Sequence, residues 1–160
     1  MLPTKLSLGK SLLVSISLSA LLFTACDKDD DDDNNSKVEY TISATLNGAK
    51  ERPAPVETAA TGSVTGTYNK NTNVLNYHVT WTGLTGPATA MHFHGPATVD
   101  ETAPPVVPVA GFPAEAGAMH QGTANLTEAQ EADLLAGKWY FNIHTQAHQP
   151  GEIRGQVATN

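Results

Sequence analysis

Two segments of the chain carry side chains able to bind a transition metal ion. In Met91-His92-Phe93-His94-Gly95-Pro96 the histidines stand two positions apart. On an extended strand such residues share a face, so His92 and His94 point one way and Met91 and Phe93 the other. Two imidazoles so placed can reach one ion, a chelating geometry that suits copper or zinc. The segment Trp139-Tyr140-Phe141-Asn142-Ile143-His144-Thr145 repeats the pattern, with Trp139, Phe141 and Ile143 on one face and Tyr140, Asn142 and His144 on the other. If the two strands are neighbours, His92, His94 and His144 converge, and His120, His148 or His78 is available as a fourth donor. The plainer use of the same residues is hydrogen bonding to turn backbones and to carboxylates such as Glu152, or simple placement on a solvated sheet face.

Other chemistry has less to stand on. The sequence contains no Gly-x-Ser-x-Gly elbow, no phosphate-cradling Gly-rich loop and no cysteine after Cys26, so nucleophilic and phosphoryl-transfer sites lack their usual parts. The acid pairs Glu51 with Glu57 and Glu128 with Glu131 have nothing nearby in sequence to raise one pKa selectively, as glycoside chemistry requires. The expectation is a protein that is not an enzyme.

The elements that must position these residues read as strands. From Lys37 onward apolar and polar residues alternate at period two between clusters of Gly, Pro and Asn, the pattern of half-buried strands joined by turns. Strands are expected near 38–46, 62–68, 73–81, 88–94, 105–110, 119–126, 138–145 and 152–158. Within the third, Leu75, Tyr77, Val79 and Trp81 form the core face, and the Asn-rich stretch from Tyr68 to Asn73 suits a hairpin with residues at positive φ. Thr127-Glu128-Ala129-Gln130 has the form of a capping box ahead of Ala132, Leu134, Leu135 and a terminating Gly137, which predicts one short helix. The fold class expected is all-β, a sandwich or barrel of about 7–8 antiparallel strands with that one helix.

The first residues have a different character. Lys5 and Lys10 precede the apolar run of Leu12, Leu13, Val14, Ile16, Leu18, Leu21, Leu22 and Phe23, which ends at Thr24-Ala25-Cys26. This is the layout of a secretory leader, over residues 1–25. Cys26, the single cysteine, cannot form an internal disulfide; Leu22-Phe23-Thr24-Ala25-Cys26 resembles a bacterial lipobox, in which the cysteine is acylated. Residues 26–36 contain Asp27 and Asp29 to Asp33 and no large apolar side chain, so they read as an extended acidic tether, similar to the export signal of surface-exposed lipoproteins. Residues 37–160 then form the domain. The expected location is the cell envelope, lipid-anchored, at the outer membrane with surface display. The formal charge is −7 for the whole chain and −4 for residues 37–160, without the clustered Lys and Arg a phosphate backbone demands, so nucleic acid is not an expected partner.

Four ordered motifs resemble the CHRD domain, a module of chordin and of bacterial secreted proteins. Leu46-Asn47-Gly48-Ala49-Lys50-Glu51-Arg52-Pro53 is similar to the family's opening, and His92-Phe93-His94-Gly95-Pro96 to its His-Ile-His-Gly-Pro signature. Leu135 to Thr145 is similar to Leu-x-x-Gly-x-x-Tyr-x-Asn-x-His-Thr, and Pro150-Gly151-Glu152-Ile153-Arg154-Gly155-Gln156 to the closing motif. The resemblance implies an immunoglobulin-like β-sandwich or barrel with an extracellular role, and marks Gly48, Glu51, Pro53, Gly95, Pro96, Thr145, Gly151, Glu152, Arg154 and Gly155 as structural positions. Arg154 is expected to pair with a carboxylate such as Glu51 or Glu152, locking the closing strand to a loop, with an exposed, unpaired arginine as the alternative. Taken together, the expectation is a lipid-anchored, non-enzymatic binding or structural module that meets the membrane through its lipid and an unidentified extracellular or periplasmic ligand through its domain. The alternative is a copper or zinc protein using the histidines, for storage or for redox chemistry of the superoxide dismutase kind on a similar β architecture.

Overall fold

A computed structural model describes residues 37–160. The stretches expected to be a leader, a lipidation site at Cys26 and an acidic tether lie outside the described residues. The described chain is all-β. In order it runs β1 (Glu39–Asn47), a 3₁₀ turn (Gly48–Lys50), β2 (Thr61–Asn69), β3 (Val74–Thr82), β4 (Ala88–His94), β5 (Pro105–Pro108), β6 (Ala118–Asn125), α1 (Glu128–Leu135), β7 (Tyr140–Thr145), β8 (Ile153–Gln156) and β9 (Ala158–Thr159). The strands form one antiparallel, nearly closed barrel-like sheet in the order β5-β4-β7-β8-β1-β2-β3-β6, with β9 beside β1.

The alternation that predicts the strands also fixes which way they face. Leu75, Tyr77, Val79 and Trp81 of β3 are buried, as are Met91 and Phe93 of β4 and Phe141 and Ile143 of β7. Phe93 meets Phe141 edge to face at 4.7 Å between ring centroids and Tyr77 at 5.2 Å, a geometry that aromatic quadrupoles favour. The β2–β3 hairpin closes on Asn69, whose Oδ1 accepts from the amides of Asn71 and Thr72, and on Asn73 at φ 57°. At α1 the Thr127 hydroxyl accepts from the Gln130 amide while the Gln130 side chain accepts from the Thr127 amide, the reciprocal capping box expected from sequence.

Two expectations are corrected. The last run divides into two strands at Val157: β8 pairs with β7, whereas β9 pairs with β1 through Ile42–Thr159 and Ser43–Ala158. The sheet therefore has nine strands, because the chain changes neighbour at a buried valine whose amide donates to the Trp139 carbonyl. The second correction concerns β7, where Tyr140 and Asn142 are buried as deeply as the apolar residues they alternate with. Of the placements the sequence leaves open for this polar face, the solvated one is excluded: the face is covered by the segment 95–104 between β4 and β5. Its backbone meets the face at several points: Ala103 exchanges hydrogen bonds with the Tyr140 hydroxyl, and Ala97 accepts from Gln156.

Candidate metal centre

β7 lies between β4 and β8, with His92 opposite Asn142, His94 opposite Tyr140, and Asn142 opposite Arg154. This register puts His92, His94, Tyr140, Asn142, His144, Arg154 and Gln156 on one covered polar face. One ring nitrogen from each of His92, His94 and His144 lies within 4.8 Å of the others. His144 Nδ1 is 2.8 Å from the Gln149 carbonyl and His94 Nδ1 is 2.8 Å from the Ala103 carbonyl. A carbonyl only accepts, so both Nδ1 atoms carry the proton and each Nε2 keeps its lone pair when the ring is neutral. Backbone carbonyls fix the tautomer of metal-binding histidines in this way.

His144 Nε2 faces His92 Nδ1 at 3.2 Å. His94 Nε2 lies 2.9 Å from Asn142 Oδ1, and the Asn142 NH₂ group is turned the other way, donating to the Pro150 carbonyl at 3.3 Å. A neutral His94 with its proton on Nδ1 has none to give that oxygen, so Nε2 and Oδ1 face each other as two acceptors, an apposition that an incoming cation would relieve. In a tetrahedral site with bonds of about 2.1 Å, ligand nitrogens sit about 3.4 Å apart; the 3.2 Å pair fits.

The electrostatics keep the rings neutral. Burial, then the neighbouring His144 and His94, lowers the His92 pKa to about 4. Burial lowers His94 and His144 as well, opposed in each by the hydrogen bond to its carbonyl. Neutral imidazoles are the form that binds metal.

The other histidines named from sequence lie elsewhere. His120 is on β6 opposite Val79, with its ring 6.4 Å from Tyr77, several strands away from β4. His148 belongs to the turn after β7, where its amide donates to the Thr145 carbonyl. His78 is on β3 opposite Gln121. Among the described residues, the metal-capable group holds His92, His94 and His144 alone; the fourth donors expected from sequence are not part of it. The site also includes Tyr140, Asn142 and the carbonyls of Ala103 and Gln149; the period-two phase shared with His144 signals the first two, and the carbonyls have no signal in the sequence.

The motif residues collect beside this face. Glu152 is fully buried and accepts from the Thr58 hydroxyl (2.8 Å), the Thr85 amide (2.9 Å) and hydroxyl (2.8 Å), and the Thr145 hydroxyl (2.7 Å). Arg154 pairs with neither carboxylate. Its Nη2 donates to the carbonyls of Glu101 (2.7 Å) and Thr98 (3.3 Å), and its guanidinium lies 3.5 Å over the Tyr140 ring, which also stacks on His94 at 4.6 Å. Glu51 is 3% exposed, and its Oε1 has no hydrogen-bond partner. Gly151, at φ +140°, lies against it: a Cβ there would stand 2.5 Å from Glu51 Oε1 and 2.7 Å from Asn142 Nδ2. Gly155 packs on β1, where a Cβ would meet the Thr45 carbonyl at 2.3 Å. Pro53 and Pro96 each follow a cis peptide bond.

A nearly closed antiparallel sheet with a covered polar face between β4, β7 and β8 defines a small all-β module. Residues 42–157 match the CHRD domain family, and the chain belongs to that family. No match is found among curated proteins or among solved structures.

Proposed function

We propose that this chain is a lipid-anchored binding module of the cell envelope, non-enzymatic, whose CHRD domain holds a copper or zinc ion between His92, His94 and His144. The observation that carries the metal reading is the pinning of His94 and His144 by backbone carbonyls beside a third imidazole. Bare structural histidines have no need of a shared focus. With three protein nitrogens, the remaining coordination position falls to water or to a ligand from outside, as in open zinc sites.

The test is a titration of metal-free domain, residues 37–160, with Cu(II) and with Zn(II). One of the two is expected to raise the melting temperature, equivalent to about 2.7 kcal/mol at a free concentration of 100 Kd. His92→Ala, at a half-buried position, is expected to abolish the rise while leaving a folded domain. Binding is expected to persist to about pH 5, below the range where an ordinary histidine is lost to protonation, because the His92 pKa is held near 4. A wild-type domain that retains neither metal on dialysis and melts unchanged in both refutes the reading; His92→Ala would then lower stability without any metal effect.

The anchor is tested separately. In full-length chain Cys26→Ser is expected to move the protein from the membrane fraction to the soluble fraction, since the acyl chains supply the attachment. Retention in the membrane fraction would refute lipidation at Cys26.

A further inference from the structure

His94 has a hydrogen-bond acceptor at each ring nitrogen: the Ala103 carbonyl lies 2.8 Å from Nδ1 and Asn142 Oδ1 lies 2.9 Å from Nε2. A neutral ring has one proton for the two, so a lone pair and an amide oxygen are left face to face. Both residues are buried, at 6% and 3% exposure, where polar atoms are ordinarily matched. Turning the Asn142 amide over only moves the conflict. Its NH₂ group would then meet His94, but Oδ1 would stand against the Pro150 carbonyl that the NH₂ group now serves at 3.3 Å. Gly151 closes on the same group, since a Cβ there would come within 2.7 Å of Nδ2.

The strand register puts this oxygen among the imidazoles. Asn142 is directly opposite His92, on β7 two residues before His144 and beside His94. A cation takes both facing lone pairs at once, and the spacing bears on which cation. Two donors 2.9 Å apart with bonds of about 2.05 Å subtend about 90° at the ion, the angle of a tetragonal N,O copper site; a tetrahedral zinc site wants a spacing of about 3.4 Å.

We infer that Asn142 is a fourth protein ligand of the ion, through Oδ1, and that the resulting set of three nitrogens and one oxygen holds Cu(II). The inference rests on the metal reading above and extends it, the outside ligand taking the fifth position of a tetragonal ion. Wild-type domain, Asn142→Leu and Asn142→Asp are prepared metal-free and titrated with Cu(II) at pH 8, where imidazole is neutral. Asn142→Leu, close in size and without a donor, is expected to weaken Cu(II) about 10-fold or more and to change the copper electron paramagnetic resonance spectrum. Asn142→Asp keeps an oxygen in place and is expected to retain Cu(II), with g and hyperfine values shifted by the added charge. Infrared difference spectra of wild-type domain, metal-free against Cu(II)-loaded, are expected to show an asparagine side-chain carbonyl band moved to lower frequency, a readout independent of how a variant folds. A copper spectrum unchanged in Asn142→Leu overturns the inference even if affinity falls, because Asn142 would then only hold His94 in place. A carbonyl band unmoved on loading overturns it as well. Wild-type domain that binds copper but fails these tests, or binds Zn(II) alone, leaves the function proposed above untouched; wild-type domain that binds neither metal overturns both.

Discussion

Replacing Glu152 by alanine is expected to lower the stability of the domain by about 3–5 kcal/mol, the scale for stripping the partner from several buried donors at once. The carboxylate has no access to water and accepts from Thr58 ahead of β2, Thr85 between β3 and β4, and Thr145 at the end of β7. It ties three separate connections to the turn that begins β8. In the variant those hydroxyls and the Thr85 amide lose their shared acceptor. Burial by itself would raise the Glu152 pKa, but the four donors prevail and hold it below its ordinary value. The associated stability is therefore present above pH 4.5 and is lost as pH falls through the lowered folded-state value. Urea denaturation of metal-free domain at pH 7 measures the effect; a loss under about 1 kcal/mol would mean that the threonines find other partners and that the carboxylate is dispensable.

The neighbouring acid is expected to behave in the opposite sense. Burial raises the Glu51 pKa from 4.5 to about 7, and the nearby Arg154 and Arg52 only partly offset it. Between pH 4.5 and 7 the folded state holds a proton that the unfolded chain has released, so this group's contribution is complete below pH 4.5 and declines as pH rises through 7. Glu51→Gln keeps the shape and cannot ionise. It is expected to be nearly neutral at pH 5 and to stabilise the domain by on the order of 2 kcal/mol at pH 8. Urea midpoints of both proteins at the two pH values test this, and an unchanged pH profile in the variant would refute it. The histidines pull the other way: with the His92 pKa lowered to about 4, their share of stability is full above pH 6.5 and fades on acidification.

How much of this was legible in the sequence depends on whether a residue's fate is decided locally. The phase of Leu75-Tyr77-Val79-Trp81 and of Met91-Phe93 is local, since alternate residues of a strand must face opposite ways, and the structure buries all six. The capping box at Thr127 is likewise written within four residues. His92 and His94 share a face for the same reason. What brings His144 to them is the pairing of β4 with β7, a contact between distant segments that alternation cannot reveal. That Tyr140, Arg154 and Gln156 are covered follows from residues 95–104, which bring carbonyls to meet their donors, and composition does not distinguish a wet polar face from one satisfied by a loop. The expected ion pair of Arg154 failed on the same ground. Backbone oxygens and an aromatic ring took the place of a carboxylate, and neither has a signature in the order of residue types.

The place of β1 in the sheet bears on how the molecule is made. This first strand lies between β2, its immediate successor, and β8 and β9, the final ones, with Thr41 and Asn160 exchanging backbone hydrogen bonds. The hairpins of β1 to β3 can assemble early from neighbouring stretches, but one side of β1 stays bare until residues 153–159 have been synthesised. Closure on that side therefore waits for β8 and β9, a remote pairing of the kind that slows folding. A chain halted a few residues short would present an unzipped seam rather than a slightly smaller barrel.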